Sequence, residues 1–349
     1  MREKTRPVGR RESLRQFNAF VTGSPLLAAQ QDPDGRPAVR LAPVEEIIAA
    51  PEFEQMAELV LSPALFEKIR GGDRGAFDRM TFRQRLMVDA MDLDLTTELF
   101  GHQMFAPIIV GPVGNQGDLH PDGELATARG SSAAQTIMVT TRDASRPPEE
   151  VAAHTDQPLW YQVYASDDGP MHDDVSAAVA AGCQVIVVTV GISPQGTPVA
   201  IDWGTVEQIV QLAGVPVVVK GIMNQSDART VLDHGAQGLV VSNHGSAVGP
   251  RNVLPVDVLP TIADVVDDRV PVLVDGSFRR GSDVLKGLAL GATAVMLARP
   301  MMWGLAAYGA SGVETALRLL ITELARNMAA SGRPTVEMID RELVRFDSR

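Results

Sequence analysis

The chain is poor in the residues that would place it in several common classes. It has one cysteine, Cys183, so it forms no internal disulfide and no cysteine metal cluster. The surrounding Ala-Gly-Cys-Gln-Val-Ile-Val reads as core. Positive charge is outweighed, with 31 Lys and Arg against 43 Asp and Glu and a formal net charge of -12. That balance disfavours attraction to nucleic acid or to an anionic membrane surface. No stretch reaches the roughly 18 to 20 uninterrupted apolar residues that a membrane span needs. The Gly-x-Gly-x-x-Gly fingerprint that opens a dinucleotide fold does not follow the first apolar run. No metal site is expected.

What is present is an ordinary globular balance. Hydrophobic residues make up 45% and charged residues 21%, enough apolar material for a large core. A length of 349 residues suits one (β/α) barrel with extensions. Residues 1–50 mix Pro, Gly, Asp and Arg without a period and read as leader or linker. Within them Arg10-Arg11-Glu12-Ser13-Leu14-Arg15, then Phe17 to Ala29, resembles a degenerate twin-arginine export signal. The expected location is cytoplasmic, with export by that route as the alternative.

Residues 51–349 read as the folded unit. From Pro51 to Arg85 apolar residues recur at spacings of three and four, among them Phe53, Met56, Leu65, Phe66 and Ile69, which predicts an N-terminal helical extension. Short apolar runs then recur at residues 108–110, 137–139, 159–164, 185–190, 215–220, 238–242, 270–275 and 294–298. Between them lie segments of helical spacing, at 124–134, 148–154, 173–181, 205–212, 226–234, 256–266 and 282–290. Strand, helix, strand in this rhythm predicts right-handed crossovers and a closed (β/α)8 TIM barrel. A final amphipathic helix is predicted over 312–331.

In such a barrel the strand ends gather on one face and build the site. Here they supply Thr141, Gln162 and Tyr164, Thr189, Lys220, then Ser242-Asn243-His244-Gly245, Asp275 to Gly281, and Arg299. Gly276 and Gly281 with Arg279 and Arg299 have the make-up of a phosphate site. Lys220 ends a Val-Pro-Val-Val-Val run and suits an anionic partner such as a reduced flavin, or a Schiff base.

Several stretches resemble the FMN-dependent α-hydroxy-acid oxidoreductases, the family of glycolate oxidase, lactate oxidase and mandelate dehydrogenase. They are Val-Val-Val-Lys-Gly-Ile (217–222), Val-Val-Ser-Asn-His-Gly (240–245), Val-Asp-Gly-Ser-Phe-Arg-Arg-Gly-Ser-Asp-Val (274–284), Arg-Pro-Met-Met-Trp-Gly-Leu-Ala (299–306) and His-Pro-Asp-Gly-Glu (120–124). The resemblance implies FMN as cofactor, a small-molecule substrate and a homo-oligomer. It implies that Gln162, Thr189 and Lys220 meet the flavin ring, and that Asp275, Gly276, Ser277, Arg279 and Arg299 hold the ribityl phosphate. Val113, Gly114, Thr141, Ser242 and Ala298, at their strand ends, complete the expected FMN contacts. His244 corresponds to the base and Tyr164 to the tyrosine that faces the substrate.

The chain also departs from the pattern. The family arginine that clamps the substrate carboxylate, three residues after the histidine, is Ala247 here. The aspartate that partners the histidine is Gly191, and the long loop after the fourth strand is reduced to residues 192–202. A tyrosine of the helical extension is absent, with Lys68 near its place. Arg251 and Lys68 are the candidate substitutes for the lost substrate contacts. Two functions stay open: an oxidoreductase with an altered substrate pocket, or a catalytically degenerate flavin-binding or assembly protein of the same fold.

Overall fold

The computed structural model describes residues 40–85, 92–165, 171–247 and 253–346. The twin-arginine stretch and Arg251 lie outside them. Ala42–Arg349 forms one compact unit, and of the residues before it only Arg40 and Leu41 are described. The barrel unit includes residues ahead of Pro51. Ile47 and Ala50 are already buried in its core.

Eight strands close into a parallel barrel: Ile108–Val110, Ile137–Thr141, Leu159–Tyr164, Val185–Thr189, Val217–Ile222, Gly238–Val241, Val272–Val274 and Ala294–Leu297. The eighth pairs with the first through Val295 and Ile108, Met296 and Ile109, Leu297 and Val110. These are the eight runs read from the sequence, with ends shifted by a few residues. Strand side chains alternate faces. Ile109, Val139, Trp160, Val187, Val218, Val240 and Leu273 fill the barrel interior, while Val110, Met138, Val188, Val219, Val241 and Val274 pack outward beneath the helices. Both faces are buried, so the strands read as continuous apolar runs without alternation.

Helices Gly123–Ala133, Pro148–Ala152, Met171–Ala180, Trp203–Ala213, Gln225–Asp233, Pro255–Val266 and Gly281–Ala289 follow the first seven strands. Their limits have local causes. Trp203–Ala213, for example, starts where the Asp202 carboxylate accepts from the N–H groups of Gly204 and Thr205, and stops at Gly214 in the left-handed region.

The predicted final helix is longer than expected. It runs from Arg299 to Ala330 and breaks at Gly309 (φ 60°, ψ -137°). The N-terminal extension consists of Glu52–Val60, Pro63–Ile69 and Gly75–Asp78, and the first of these packs on the final helix, with Phe53 edge-on to Tyr308.

Two features had no counterpart in the sequence reading. A hairpin, Thr97–Leu99 with His102–Met104, places Leu99, Phe100 and Met104 against the barrel interior. Phe100 lies edge-on to Trp160 at 5.7 Å. In addition, Met80–Phe82 pairs antiparallel with Val344–Phe346, joining the extension to the end of the described chain. Among the described residues no helix is long and apolar enough to cross a membrane.

Candidate active site

The carboxyl ends of the strands surround a cleft of about 300 Å³. Its lining includes Gly114, Thr141, Gln162, Tyr164, Thr189, Lys220, His244, Asp275, Gly276, Ser277, Arg279, Ala298 and Arg299, which the sequence had placed at one site. Ser242 lies directly behind the lining, wholly buried. Val113 is partly buried against the core beside Gly114 rather than in the cleft wall. Lys68 is exposed on helix Pro63–Ile69 and takes no part in the lining.

One wall is a chain of buried polar groups. Thr141 Oγ1 donates to Gln162 Oε1 at 2.5 Å, and Gln162 Nε2 donates to Thr189 Oγ1 at 2.8 Å. The amide of Gln162 is thereby fixed in orientation. The opposite wall is ionic. Lys220 Nζ donates to Ser242 Oγ and lies 2.9 Å from Asp275 Oδ2, while Ser242 Oγ donates to the same carboxylate oxygen. A charge this buried is tolerated because it is paired and hydrogen-bonded.

The fifth strand carries an irregularity between Lys220 and Ile222. It is centred on Gly221, whose φ of 118° only glycine adopts without strain. A Cβ there would lie 2.5 Å from the Val190 carbonyl oxygen and 2.6 Å from His244 Nε2. Glycine is thus what lets the histidine approach the barrel rim.

His244 takes φ 52°, followed by Gly245 at 70° and Ser246 at 77°. Its N–H donates to Ser242 Oγ at 3.2 Å, and Nε2 lies 2.9 Å from the Val190 carbonyl oxygen. A carbonyl only accepts, so Nε2 carries the proton and the free lone pair is on Nδ1. Burial, reinforced by the Lys220 ammonium and opposed by Asp275 and the Val190 carbonyl, pushes the imidazole down to about 4. Burial also raises the Tyr164 phenol, and the nearby Asp143 carboxylate adds to the effect.

At the far end of the cleft, Arg279 lies over the Trp303 ring, donates to the Gly72 carbonyl at 2.7 Å, and sits 3.9 Å from Glu54. Burial lowers its guanidinium from the ordinary range. The Gly71–Gly72 turn closes over both arginines: a Cβ at Gly71 would meet Arg279 Nη2 and one at Gly72 would meet Arg299 Nη1. The extension therefore contributes directly to this end, through Glu54, Gly71, Gly72 and Arg74. The sequence did not reveal these contacts, because they join positions about two hundred residues apart.

The short loop after the fourth strand folds on itself, Ser193 N–H donating to the Thr197 carbonyl, and puts Ile192, Ser193, Pro194 and Gly196 at the cleft mouth. Arg142, which follows the lining residue Thr141, is paired with Asp174 at 3.0 Å.

These residues fit a flavin mononucleotide. Asp275 Oδ1 and Arg279 Nε are buried facing no partner, and the Arg299 side chain makes no hydrogen bond or ion pair among the described residues. A polyhydroxylated chain ending in a phosphate supplies what such groups lack.

Comparison with known proteins agrees. The model of the FMN-dependent dehydrogenase family matches residues 67–198 and 195–346. Peroxisomal (S)-2-hydroxyacid oxidase GLO3 of Arabidopsis thaliana is 32% identical over 87% of this chain and 98% of its own length. L-lactate oxidase of a Nostoc species is 31% identical over 83% and 95%. Among solved structures, mandelate oxidase with (S)-2-phenylpropionate superposes with a TM-score of 0.81 at 33% identity, covering 87% of this chain and all of that one. Sequence match, barrel and cleft lead to one assignment: the chain belongs to the FMN-dependent dehydrogenase family and is an oxidoreductase whose cofactor is FMN.

Proposed function

We propose that the protein oxidises the CH–OH carbon of a hydroxylated small molecule to a carbonyl, with His244 as base, and that its preferred substrate is not a standard small α-hydroxy acid. The observation that carries this reading is the meeting of His244, Lys220 and the Thr141–Gln162–Thr189 chain in one cleft. FMN, when bound, would supply the oxidant, taking up the two electrons and one of the two hydrogens that leave the substrate, the other going to His244 as a proton. Lys220, ion-paired with Asp275 at 2.9 Å, would supply positive charge to a flavin that becomes anionic on reduction. His244 is neutral at physiological pH and accepts the substrate proton on Nδ1. Tyr164 lines the same cleft, and this reading gives it the place of the tyrosine that faces the substrate.

The relatives are named for (S)-2-hydroxy acids, L-lactate and mandelate, and the general reaction is carried over from them. The substrate end is where this chain departs. Ala247 stands where the family has its clamping arginine, Gly191 where it has aspartate, and Ile192 and Pro194 give the cleft mouth an apolar side. Breaking a bidentate arginine–carboxylate contact in a partly dry site removes roughly 2 to 5 kcal/mol of binding. A small hydroxy acid is therefore held weakly, with Arg251 the remaining candidate for a carboxylate contact.

The test is spectroscopic. Purified protein should show the flavin absorbance bands, and under anaerobic conditions a panel of hydroxy acids, their esters and amides, and larger alcohols should include one that bleaches them. His244→Ala should abolish that bleaching. A colourless preparation that takes up no FMN would refute the reading.

A second reading, a flavin-binding protein that has lost turnover, is favoured by one contact: Nε2 of His244 is committed to the Val190 carbonyl, and the acidic partner of the family is missing. Tight FMN binding with no bleaching across the panel would decide for it.

A further inference from the structure

We infer that Arg74, which the N-terminal extension contributes, is a positioning residue for the phosphate end of the FMN site: it neutralises Asp283 behind the loop at residues 276–280. The inference rests on FMN as cofactor and adds a residue that neither the stretches quoted above nor the strand ends supply.

Asp283 stands in the first turn of helix Gly281–Ala289, with its side chain 1% exposed. One carboxylate oxygen, Oδ2, accepts from the N–H groups of Arg279 at 2.9 Å and Arg280 at 3.0 Å. The next N–H, that of Gly281, is held by Glu323 Oε2 at 2.9 Å. Three successive backbone donors at this helix start are thus committed to protein carboxylates. A phosphate arriving here meets chiefly the guanidinium groups of Arg279 and Arg299, which line the cleft.

Such an arrangement has an electrostatic difficulty. A buried carboxylate bonded to the backbone of the phosphate loop repels a dianion unless its own charge is balanced. Arg74 supplies the balance. Its Nη1 donates to Asp283 Oδ2 at 2.8 Å and its Nη2 to Oδ1 at 3.0 Å, a two-pronged pair, and Nη1 also donates to the Ser277 carbonyl at 3.2 Å. The guanidinium is steadied over the Phe77 ring at 5.6 Å. Arg74 therefore fixes the loop through Ser277 and cancels the charge that fixes it through Arg279 and Arg280.

The contrast between FMN and riboflavin, the same flavin without its phosphate, isolates this role. In flavin-stripped full-length protein followed by flavin fluorescence, Arg74→Ala should weaken FMN binding by about tenfold or more and leave riboflavin within about twofold, as expected when one buried charge loses its partner. Adding Asp283→Asn to Arg74→Ala should restore most of the FMN affinity. Equal weakening of both flavins, or unchanged FMN binding, overturns the inference. If Arg74→Ala does not fold, Arg74→Gln is compared with Arg74→Lys, which keeps the charge but not the fork. FMN affinity better kept by Lys than by Gln, with riboflavin alike in both, supports the role, and any other pattern overturns it. Wild-type protein that binds neither flavin refutes the FMN assignment itself, and this inference with it.

Discussion

Nε2 of His244 lies 2.9 Å from the main-chain oxygen of Val190, the residue that precedes Gly191. A backbone carbonyl orients the ring but, unlike a carboxylate, lends the imidazolium little charge stabilisation. The base is consequently a weakly basic, neutral imidazole, and this has consequences for pH.

The His244 imidazole sits at about 4 in the folded protein against an ordinary 6.5. The unfolded chain therefore binds the additional proton first on acidification, so the stability contributed by the neutral ring is complete above pH 6.5 and is lost as pH falls from 6.5 towards 4. A pH–rate profile should be flat from about pH 5 to 8 on this group and fall only as pH approaches 4. An acid limb centred near 6.5 would contradict it.

Gly191→Asp restores an acidic group beside this histidine. Gly191 has φ 78° and open space around its Cα, so an aspartate fits but takes a left-handed backbone, at about 1 kcal/mol of stability. The acid limb of the pH–rate profile should move upward. A profile that superimposes on wild type would show that the carboxylate does not reach the ring.

Gly221→Ala should be far more damaging than most alanine substitutions. The added methyl would meet the Val190 oxygen and His244 Nε2 while demanding φ near 118°. Turnover should fall at least about a hundredfold, as expected when a reacting group is displaced by about 1 Å. A variant with normal turnover would mean that His244 has freedom the structure does not show.

Ser277→Gly should stabilise the protein. Ser277 holds φ 60°, a region that favours glycine by about 1 kcal/mol. Thermal unfolding of the flavin-stripped protein should shift upward by a degree or more. An unchanged or lowered midpoint would mean that the Ser277 hydroxyl contributes a contact of its own.

How much of this was legible depended on distance along the chain. The barrel strands announce themselves because runs such as Val185–Thr189 and Val217–Val219 are buried on both faces and have Gly191, Pro216 or Gly221 close to an end. The cleft was legible for a related reason: Gln162, Lys220, His244 and Asp275 follow directly on such runs, and the barrel brings their ends together. The hairpin at 97–104 was not, since Thr-Glu-Leu-Phe-Gly-His-Gln-Met has no clear alternation and its strand character comes from Leu99 and Met104 meeting the barrel floor. Arg74 was invisible in the same way. Nothing near it in sequence shows that its carboxylate lies 209 residues further on.

The pairing of Met80–Phe82 with Val344–Phe346 also governs the order of assembly. Residues 344–346 leave the ribosome after the whole barrel, so this clasp on the extension closes only once all eight strands have been synthesised. Deleting residues 344–346 should leave the eight strands paired but loosen the segment that carries Arg74, and a nascent chain should gain its full grip on phosphate only once residues 344–346 have emerged.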